Sequence, residues 1–176
     1  MGKVIAFAGS NSKNSINKKL ATFAASLLKS NEFKVLDLND YELPLYSIDV
    51  EVENEFPEAA IKFNNELAES DAVIISLAEH NGSYTAAFKN LLDWVSRKDK
   101  TVFKNKPVLV LATSPGGRGG ATVLNTALNS FPHFGADIKG SFSLPSFNDN
   151  FKEDKIVDSD LLNQLSEAVK NLESAL

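Results

Sequence analysis

The feature that most constrains this chain is the regular change of hydrophobic period along it. Short, nearly continuous apolar runs fall at Val4–Ala8, Phe33–Leu38, Ala72–Leu77, Val108–Ala112 and, more weakly, Asp137–Leu144. Runs of that length and continuity read as strands buried on both faces of a parallel sheet. The segments between them have helical spacing. Ile16, Leu20, Phe23, Ala24, Leu27 and Leu28 mark one apolar face; Tyr84, Phe88, Leu91, Leu92 and Val95 mark another, as do Leu124, Ala127, Leu128 and Phe131. Leu161, Leu162, Leu165, Ala168, Val169 and Leu172 predict a C-terminal helix opened by Asp158 or Ser159. A fifth helix fits Pro57 to Glu69, with Pro57 in its first turn.

Strand and helix thus alternate from one end of the sequence to the other. Strict alternation with parallel-type strands specifies a doubly wound α/β unit with helices on both faces of the sheet. Five strands fit the flavodoxin-like order 2-1-3-4-5, a three-layer sandwich, better than the six-stranded dinucleotide fold. At 176 residues the length suits one domain, expected over 1–176. The polar stretch Asn39–Glu55 reads as a long loop. No internal repeat or low-complexity tract interrupts the pattern.

Composition narrows the function classes. Eighteen basic against twenty-three acidic residues give a formal charge of −5, which offers no electrostatic reason to sit on nucleic acid or an anionic membrane. The absence of cysteine removes disulfides, thiolate catalysis, iron–sulfur clusters and Cys-based zinc sites. The longest apolar runs are far short of the ~20 residues of a membrane span. Lys3 leads straight into Val4–Ala8 with no leader pattern, and Ala6 stands where a Met1–Gly2 myristoylation signal needs Ser or Thr. A cytoplasmic protein is expected.

In a doubly wound sheet, ligands bind beyond the carboxyl ends of the strands where strand order reverses, here between the first and third strands. The loops after the first, third and fourth strands are all unusual. The first runs Gly9-Ser10-Asn11-Ser12-Lys13-Asn14-Ser15-Ile16-Asn17, in which seven of nine residues are Gly, Ser or Asn. It feeds a helix N-terminus, so it is either an anion site or a capped turn. It carries neither the Walker pattern nor the G-x-G-x-x-G fingerprint. The second runs Ala78-Glu79-His80-Asn81-Gly82-Ser83-Tyr84. Its His80 is a general base or a packed, hydrogen-bonded loop histidine. It is not expected to bind a metal, since the other histidine, His133, lies in no cluster of carboxylates. The third runs Thr113-Ser114-Pro115-Gly116-Gly117-Arg118-Gly119-Gly120, with four glycines in its last five positions. Such a loop lets something flat or bulky approach the backbone, or serves as a mobile connection. No nucleophile elbow, H-E-x-x-H motif or catalytic carboxylate pair occurs, so no catalytic side chain is named. An enzyme built this way draws its reactivity from a cofactor.

Together the three loops resemble those of the NADPH-dependent FMN reductases, a family that includes quinone, azo-dye and chromate reductases. The family's first loop reads roughly G-S-x-R-x-x-S-x-N, and Gly9, Ser10, Ser15 and Asn17 match it at the same spacing. Ser12 replaces its Arg, with Lys13 as the neighbouring cation. Its second motif, P-E-Y-N-x-S followed by K-N-x-x-D-W, is matched by Glu79, Asn81, Ser83, Lys89, Asn90, Asp93 and Trp94, with Ala78 and His80 in place of Pro and Tyr. Its third, a Ser before a glycine run, is matched by Ser114, Gly116, Gly117, Gly119 and Gly120.

The resemblance implies a non-covalently held FMN with its phosphate over Ser10, Ser12, Lys13, Ser15, Ile16 and Asn17. It implies that Glu79, His80, Asn81 and Gly82 line the isoalloxazine, largely through backbone groups. Ser114, Gly116 and Gly117 would approach the pyrimidine edge and ribityl chain. The implied activity passes hydride from NADPH, or NADH, through FMN to a small acceptor such as a quinone or flavin. The implied assembly is a homodimer or homotetramer joined through the helix carrying Lys89, Asp93 and Trp94, although Trp94 reads equally as a core residue. The alternative is a non-enzymatic flavodoxin-type electron carrier. Flavodoxins, however, are more acidic and carry a T/S-x-T-G-x-T phosphate loop that this sequence lacks. A flavin-free response regulator would need an Asp ending the third strand, where Ala78 stands.

Overall fold

Each of the five apolar runs forms a strand of one parallel sheet. The computed structural model describes residues 2–176. In chain order they form β1 (Lys3–Gly9), α1 (Ile16–Ser26), β2 (Glu32–Leu36), α2 (Ile48–Glu53), α3 (Glu58–Glu69), β3 (Ala72–Leu77), α4 (Ala86–Lys98), β4 (Lys106–Thr113), α5 (Ala121–Ser130), β5 (Ala136–Leu144), α6 (Phe147–Asn150), β6 (Phe151–Lys152), β7 (Lys155–Ile156) and α7 (Ser159–Glu173). The sheet order is β2-β1-β3-β4-β5, and every neighbouring pair is parallel.

Alternate strand residues face opposite layers. Ile5, Phe7, Val73, Ile75, Val108 and Val110 pack against α3, α4 and α5. Val4, Ala6, Ile74, Leu109 and Leu111 pack against α1 and α7. Both faces are covered, so β3 has no exposed residue at all. Truncating a fully buried Ile74 or Leu109 to Ala should cost about 2–5 kcal/mol.

The expectation that every strand is buried on both faces fails at β2, whose Glu32, Phe33 and Lys34 are exposed. The reason is topological: β2 is an edge strand paired with β1 alone, and its charges discourage further strand pairing. The polar stretch 39–55 is not wholly a loop either. Residues Leu38–Asp40 form a 3₁₀ turn capped by Asp37, and α2 is capped by Ser47. Amphipathic spacing gives no warning of α2, because none of its residues is buried. His133 lies in a 3₁₀ turn, Phe131–Phe134, that follows α5.

Side chains fix the helix ends. Asp158 caps α7 by accepting from the Asp160 and Leu161 amides. Lys106 Nζ donates to the carbonyls of Leu67 (2.6 Å), Ala68 (2.7 Å) and Ser70 at the end of α3, placing a cation at the negative end of the helix dipole. Asn90 and Trp94 on α4 both donate to the Pro44 carbonyl, at 3.0 and 2.8 Å, and Asn90 accepts from Tyr46 N at 2.8 Å. Trp94 is 1% exposed and meets Tyr46 and Phe56 edge-to-face. Among the described residues no helix is long and apolar enough to cross a membrane.

Candidate functional site

The carboxyl ends of β1, β3 and β4 are adjacent in the sheet, so the loops after them, 10–15, 78–85 and 114–120, share one rim. Three buried polar side chains tie them together. Asn17 Nδ2 donates to Thr113 O (3.1 Å), while Asn17 Oδ1 accepts from Thr113 N (3.0 Å) and from Ser76 Oγ (2.7 Å). Thr85 Oγ1 donates to Gly9 O (2.9 Å) and caps α4 by accepting from Phe88 N. Ser76, Thr85 and Asn17 are each 2% exposed or less.

Loop 10–15 is wound tightly on itself. Ser15 N donates to Ser12 O, Ser12 N to Ser10 Oγ, and Lys18 N to the capping oxygen of Ser15. Those contacts use the two hydroxyl oxygens as acceptors and leave their O–H groups free to donate. The Ile16 and Asn17 amides, in the first turn of α1, have no acceptor among the described residues. Free first-turn amides with adjacent hydroxyls at a positive helix end suit a phosphate. The Asn17 side chain is engaged inside the protein, so its backbone N–H is the group that reaches this site. Lys13 is exposed beside it.

In loop 78–85, His80 and Ser83 exchange two backbone hydrogen bonds of 3.0 and 3.1 Å across Asn81 (φ 52°) and Gly82 (φ 77°). Two consecutive positive φ values define a type I′ turn, which Asn-Gly favours. The turn holds the Asn81 and Gly82 amides outward with no internal acceptor, which suits hydrogen bonding along a ring edge. The Glu79 carboxylate points elsewhere. It is 13% exposed, accepts from Val123 N at 3.0 Å and lies 3.7 Å from Arg118. It therefore caps α5, whose own capping residue, Gly120, has no side chain to do so.

The glycines of loop 114–120 divide into two kinds. Gly119 (φ 58°) is buried, and a Cβ there would meet Ser143 Oγ at 2.4 Å and the Leu144 carbonyl at 2.9 Å. Gly116 and Gly117 are exposed; a Cβ on Gly117 would meet nothing within 4 Å. Neither the chain's packing nor a positive φ demands glycine at these two positions. Their open backbone leaves room for a group to approach from outside. Ser114 lies at their base, its Oγ 3.3 Å from Gly116 O.

Beside loop 10–15 opens a cleft of about 450 Å³ between Asn11, residues 38–45 and the start of α4. Tyr41 lines it as a neutral phenol: burial, then the Glu66 and Asp40 carboxylates, push its pKa up to about 12.

Sequence reasoning missed Ser76 and Thr85. Both left a signal. Ser76 is the one polar residue in the apolar run Ala72–Leu77, and Thr85 precedes an apolar helical face as a capping residue does.

The family model for NADPH-dependent FMN reductases matches residues 2–149. The chain belongs to that family. FMN and a reduced nicotinamide nucleotide are the family's paired cofactors, and the free donors around loops 10–15 and 78–85 fit the first of them. Among individual family relatives, the chain is 38% identical over 121 residues to a 2-hydroxy-1,4-benzoquinone reductase of a Burkholderia species, covering 68% of this chain and 64% of that protein. It is 40% identical over 114 residues to a quinone reductase of Pseudomonas putida, covering 64% of this chain and 60% of that one. The chain thus spans less than two thirds of the length of these two curated relatives. A solved flavoenzyme NAD(P)H:(acceptor) oxidoreductase of Paracoccus denitrificans superposes with a TM-score of 0.79 at 28% identity, covering 99% of this chain and 97% of that chain.

Proposed function

We propose that this chain is an FMN-dependent NAD(P)H oxidoreductase that reduces a small acceptor such as a quinone or flavin. It works in the cytoplasm as a single flavodoxin-like domain over 1–176, assembled as a homodimer or homotetramer. Met1 lies outside the described residues. The observation that carries the reading is the ring of donors without internal acceptors at one end of the sheet: the Ile16 and Asn17 amides, the Ser10 and Ser15 hydroxyls, and the Asn81 and Gly82 amides. Gly116 and Gly117, on the loop after β4, leave the backbone open beside the Asn81–Gly82 turn.

FMN in this site supplies hydride transfer from a nicotinamide and onward to an acceptor. The chain's own part is orientation. Loop 10–15 holds the phosphate through Ser10, Ser12, Ser15 and the Ile16 and Asn17 amides, with Lys13 adding charge. The Asn81–Gly82 turn, with His80 at its start, would hold a ring edge through its free amides. Ser114, Gly116 and Gly117 would leave room for the pyrimidine edge. Glu79 supports the site from behind by capping α5. Such positioning suffices where the cofactor is the reactive group.

The test is anaerobic reduction of the bound flavin by NADPH and NADH, followed by a panel of quinone and flavin acceptors. Bleaching of the flavin absorbance and steady-state turnover are expected. A bound flavin that stays oxidised under both nucleotides would instead mark a passive carrier.

The assembly surface is proposed beside α4. Leu45, Ile48 and Val52 are 80%, 55% and 76% exposed on a segment held against that helix. A second copy covering them would bury an apolar patch that a soluble monomer seldom presents.

A further inference from the structure

Asn81-Gly82 is the only place in the sequence where glycine follows asparagine. The pair stands at the tip of the loop after β3, and both residues are exposed. Asn17, Asn31, Asn90 and Asn150 hold their carboxamides in hydrogen bonds to neighbours. The Asn81 carboxamide has no such bond among the described residues, and the Gly82 amide has no acceptor. A Cβ built on Gly82 would meet only the Thr122 methyl, at 3.8 Å, so the turn has room to change shape.

These are the conditions for an intramolecular reaction. The Gly82 backbone nitrogen is within reach of the Asn81 side-chain carbonyl carbon, and closing on it makes a five-membered imide. A side chain at 82 would crowd that closure, and glycine does not. The restraint is the turn itself. Asn81 (φ 52°) and Gly82 (φ 77°) are pinned by the two His80–Ser83 hydrogen bonds of 3.0 and 3.1 Å. Ring closure needs a rotation within Asn81 that loosens this pair. Two hydrogen bonds at an exposed loop tip open far more readily than the sheet does.

We propose that Asn81 is a site of self-modification and that bound flavin guards it. The Gly82 nitrogen attacks the side-chain carbonyl carbon of Asn81 and forms a bond to it. The bond from that carbon to the side-chain nitrogen breaks, and ammonia leaves with the proton of the Gly82 amide. Water then opens the imide at either carbonyl, giving aspartate or isoaspartate at 81. Water is taken up and ammonia released, with no electron transfer and no other reagent. The product adds negative charge to a chain already at −5. Isoaspartate also lengthens the backbone by one carbon, which moves the Gly82 amide out of the turn that aims it. The guarding half rests on the flavin reading given above: a ring edge held by the Gly82 N–H occupies the nucleophile and keeps the turn closed.

The test ages the unaltered chain, flavin-free and loaded with FMN, in mildly alkaline buffer, where loss of the amide proton speeds the attack. Peptide mapping by mass spectrometry reads acid at each asparagine. Enzymatic methylation reads isoaspartate, and flavin fluorescence reads the FMN bound. The flavin-free chain should gain acid at 81 ahead of every other asparagine and lose FMN binding in step. With free FMN about tenfold above its Kd, the rate at 81 should fall about tenfold, following the share of protein left flavin-free. Asn81→Gln, which would have to close a six-membered ring, should stay unmodified and keep whatever FMN binding it starts with. No acid at 81 in the flavin-free chain, or acid appearing there no faster than elsewhere, would overturn the site. Equal rates with FMN bound would overturn the guard. Failure to bind FMN at all would overturn the flavin reading, while the flavin-free sample still decides the modification.

Discussion

Asn17 and Thr113 are paired through two hydrogen bonds, the Asn17 amide nitrogen donating to the Thr113 carbonyl at 3.1 Å and its amide oxygen accepting from the Thr113 amide at 3.0 Å. The pairing joins the first turn of α1 to the end of β4, and Ser76 adds a contact from β3. One side chain thus fastens loop 10–15 and the start of α1 to the strands on which the other two loops are built.

Asn17→Ala should therefore act chiefly on stability. It leaves the Thr113 N–H and carbonyl and the Ser76 hydroxyl without partners in a buried place, a loss of about 2–4 kcal/mol. Urea unfolding should show a lower midpoint with an unchanged slope. Ser10→Ala removes a surface hydroxyl instead; stability should stay within about 0.5 kcal/mol while FMN is released on dialysis. Equal stability losses in the two variants would contradict this division of roles.

The glycines of loop 114–120 should separate in the same way. Gly119→Ala forces a Cβ into Ser143 Oγ and the Leu144 carbonyl at a positive φ, costing about 1–3 kcal/mol of stability. Gly117→Ala meets nothing and should leave the fold intact or raise stability by about 0.4–1 kcal/mol through the unfolded chain. Its effect should appear in flavin affinity. Thermal melts with and without FMN measure both effects.

On the proposed function, turnover should be ping-pong, because one rim of the sheet would serve both the nicotinamide nucleotide and the acceptor. Double-reciprocal plots at several acceptor concentrations should be parallel. Arg118, 81% exposed and only 3.7 Å from Glu79, is loosely enough held to turn toward a nucleotide phosphate. Arg118→Ala should raise KM for NADPH about tenfold, the worth of one such contact, and leave KM for the acceptor unchanged. Intersecting lines would remove the shared-rim mechanism.

Acid should weaken the fold partly through Glu173. Its carboxylate accepts from Ser30 N (2.9 Å), Lys29 N (2.8 Å) and Asn31 Nδ2 (3.1 Å), and these contacts, Ser30 first, hold its pKa below the ordinary 4.5 against an opposing effect of burial. A depressed native pKa means that the unfolded chain binds the proton more tightly. The stabilisation is complete above the ordinary carboxylate range and is lost as pH falls through the native value. Glu173→Gln should cost about 1 kcal/mol at neutral pH and nothing in strong acid. A penalty that persists at low pH would show that charge is not its source.

Replacing Leu45, 80% exposed, by Glu should convert the assembly to monomers in light scattering if the patch beside α4 is its interface. A stable monomer of 19.1 kDa before substitution would end that proposal.

The sheet order and the placing of the three loops were legible because parallel strands covered on both faces leave long apolar runs, and strand ends follow from them. The side-chain directions were not. Asn17 and Glu79 are polar residues in loops rich in polar residues, and nothing in their spacing tells a ligand contact from a tether or a cap. The two readings of Trp94 differ only in which atoms surround it; its burial and the indole N–H on the Pro44 carbonyl make it a core residue of this chain. The short helix α2 escaped notice because a helix without a buried face has no apolar period to read.

The Pro44 carbonyl, with two donors reaching it from residues 46 and 50 positions further along the chain, makes the 44–56 segment a late arrival in folding. Its ends are closed by contacts that must wait for α4, and loop closure over that span carries an entropic cost that α2, with nothing buried, does little to offset. The same segment can detach without breaking a strand pair. Its amides should exchange with solvent through a local opening well below the global unfolding energy, while those of β1 and β3 exchange only when the whole sheet comes apart.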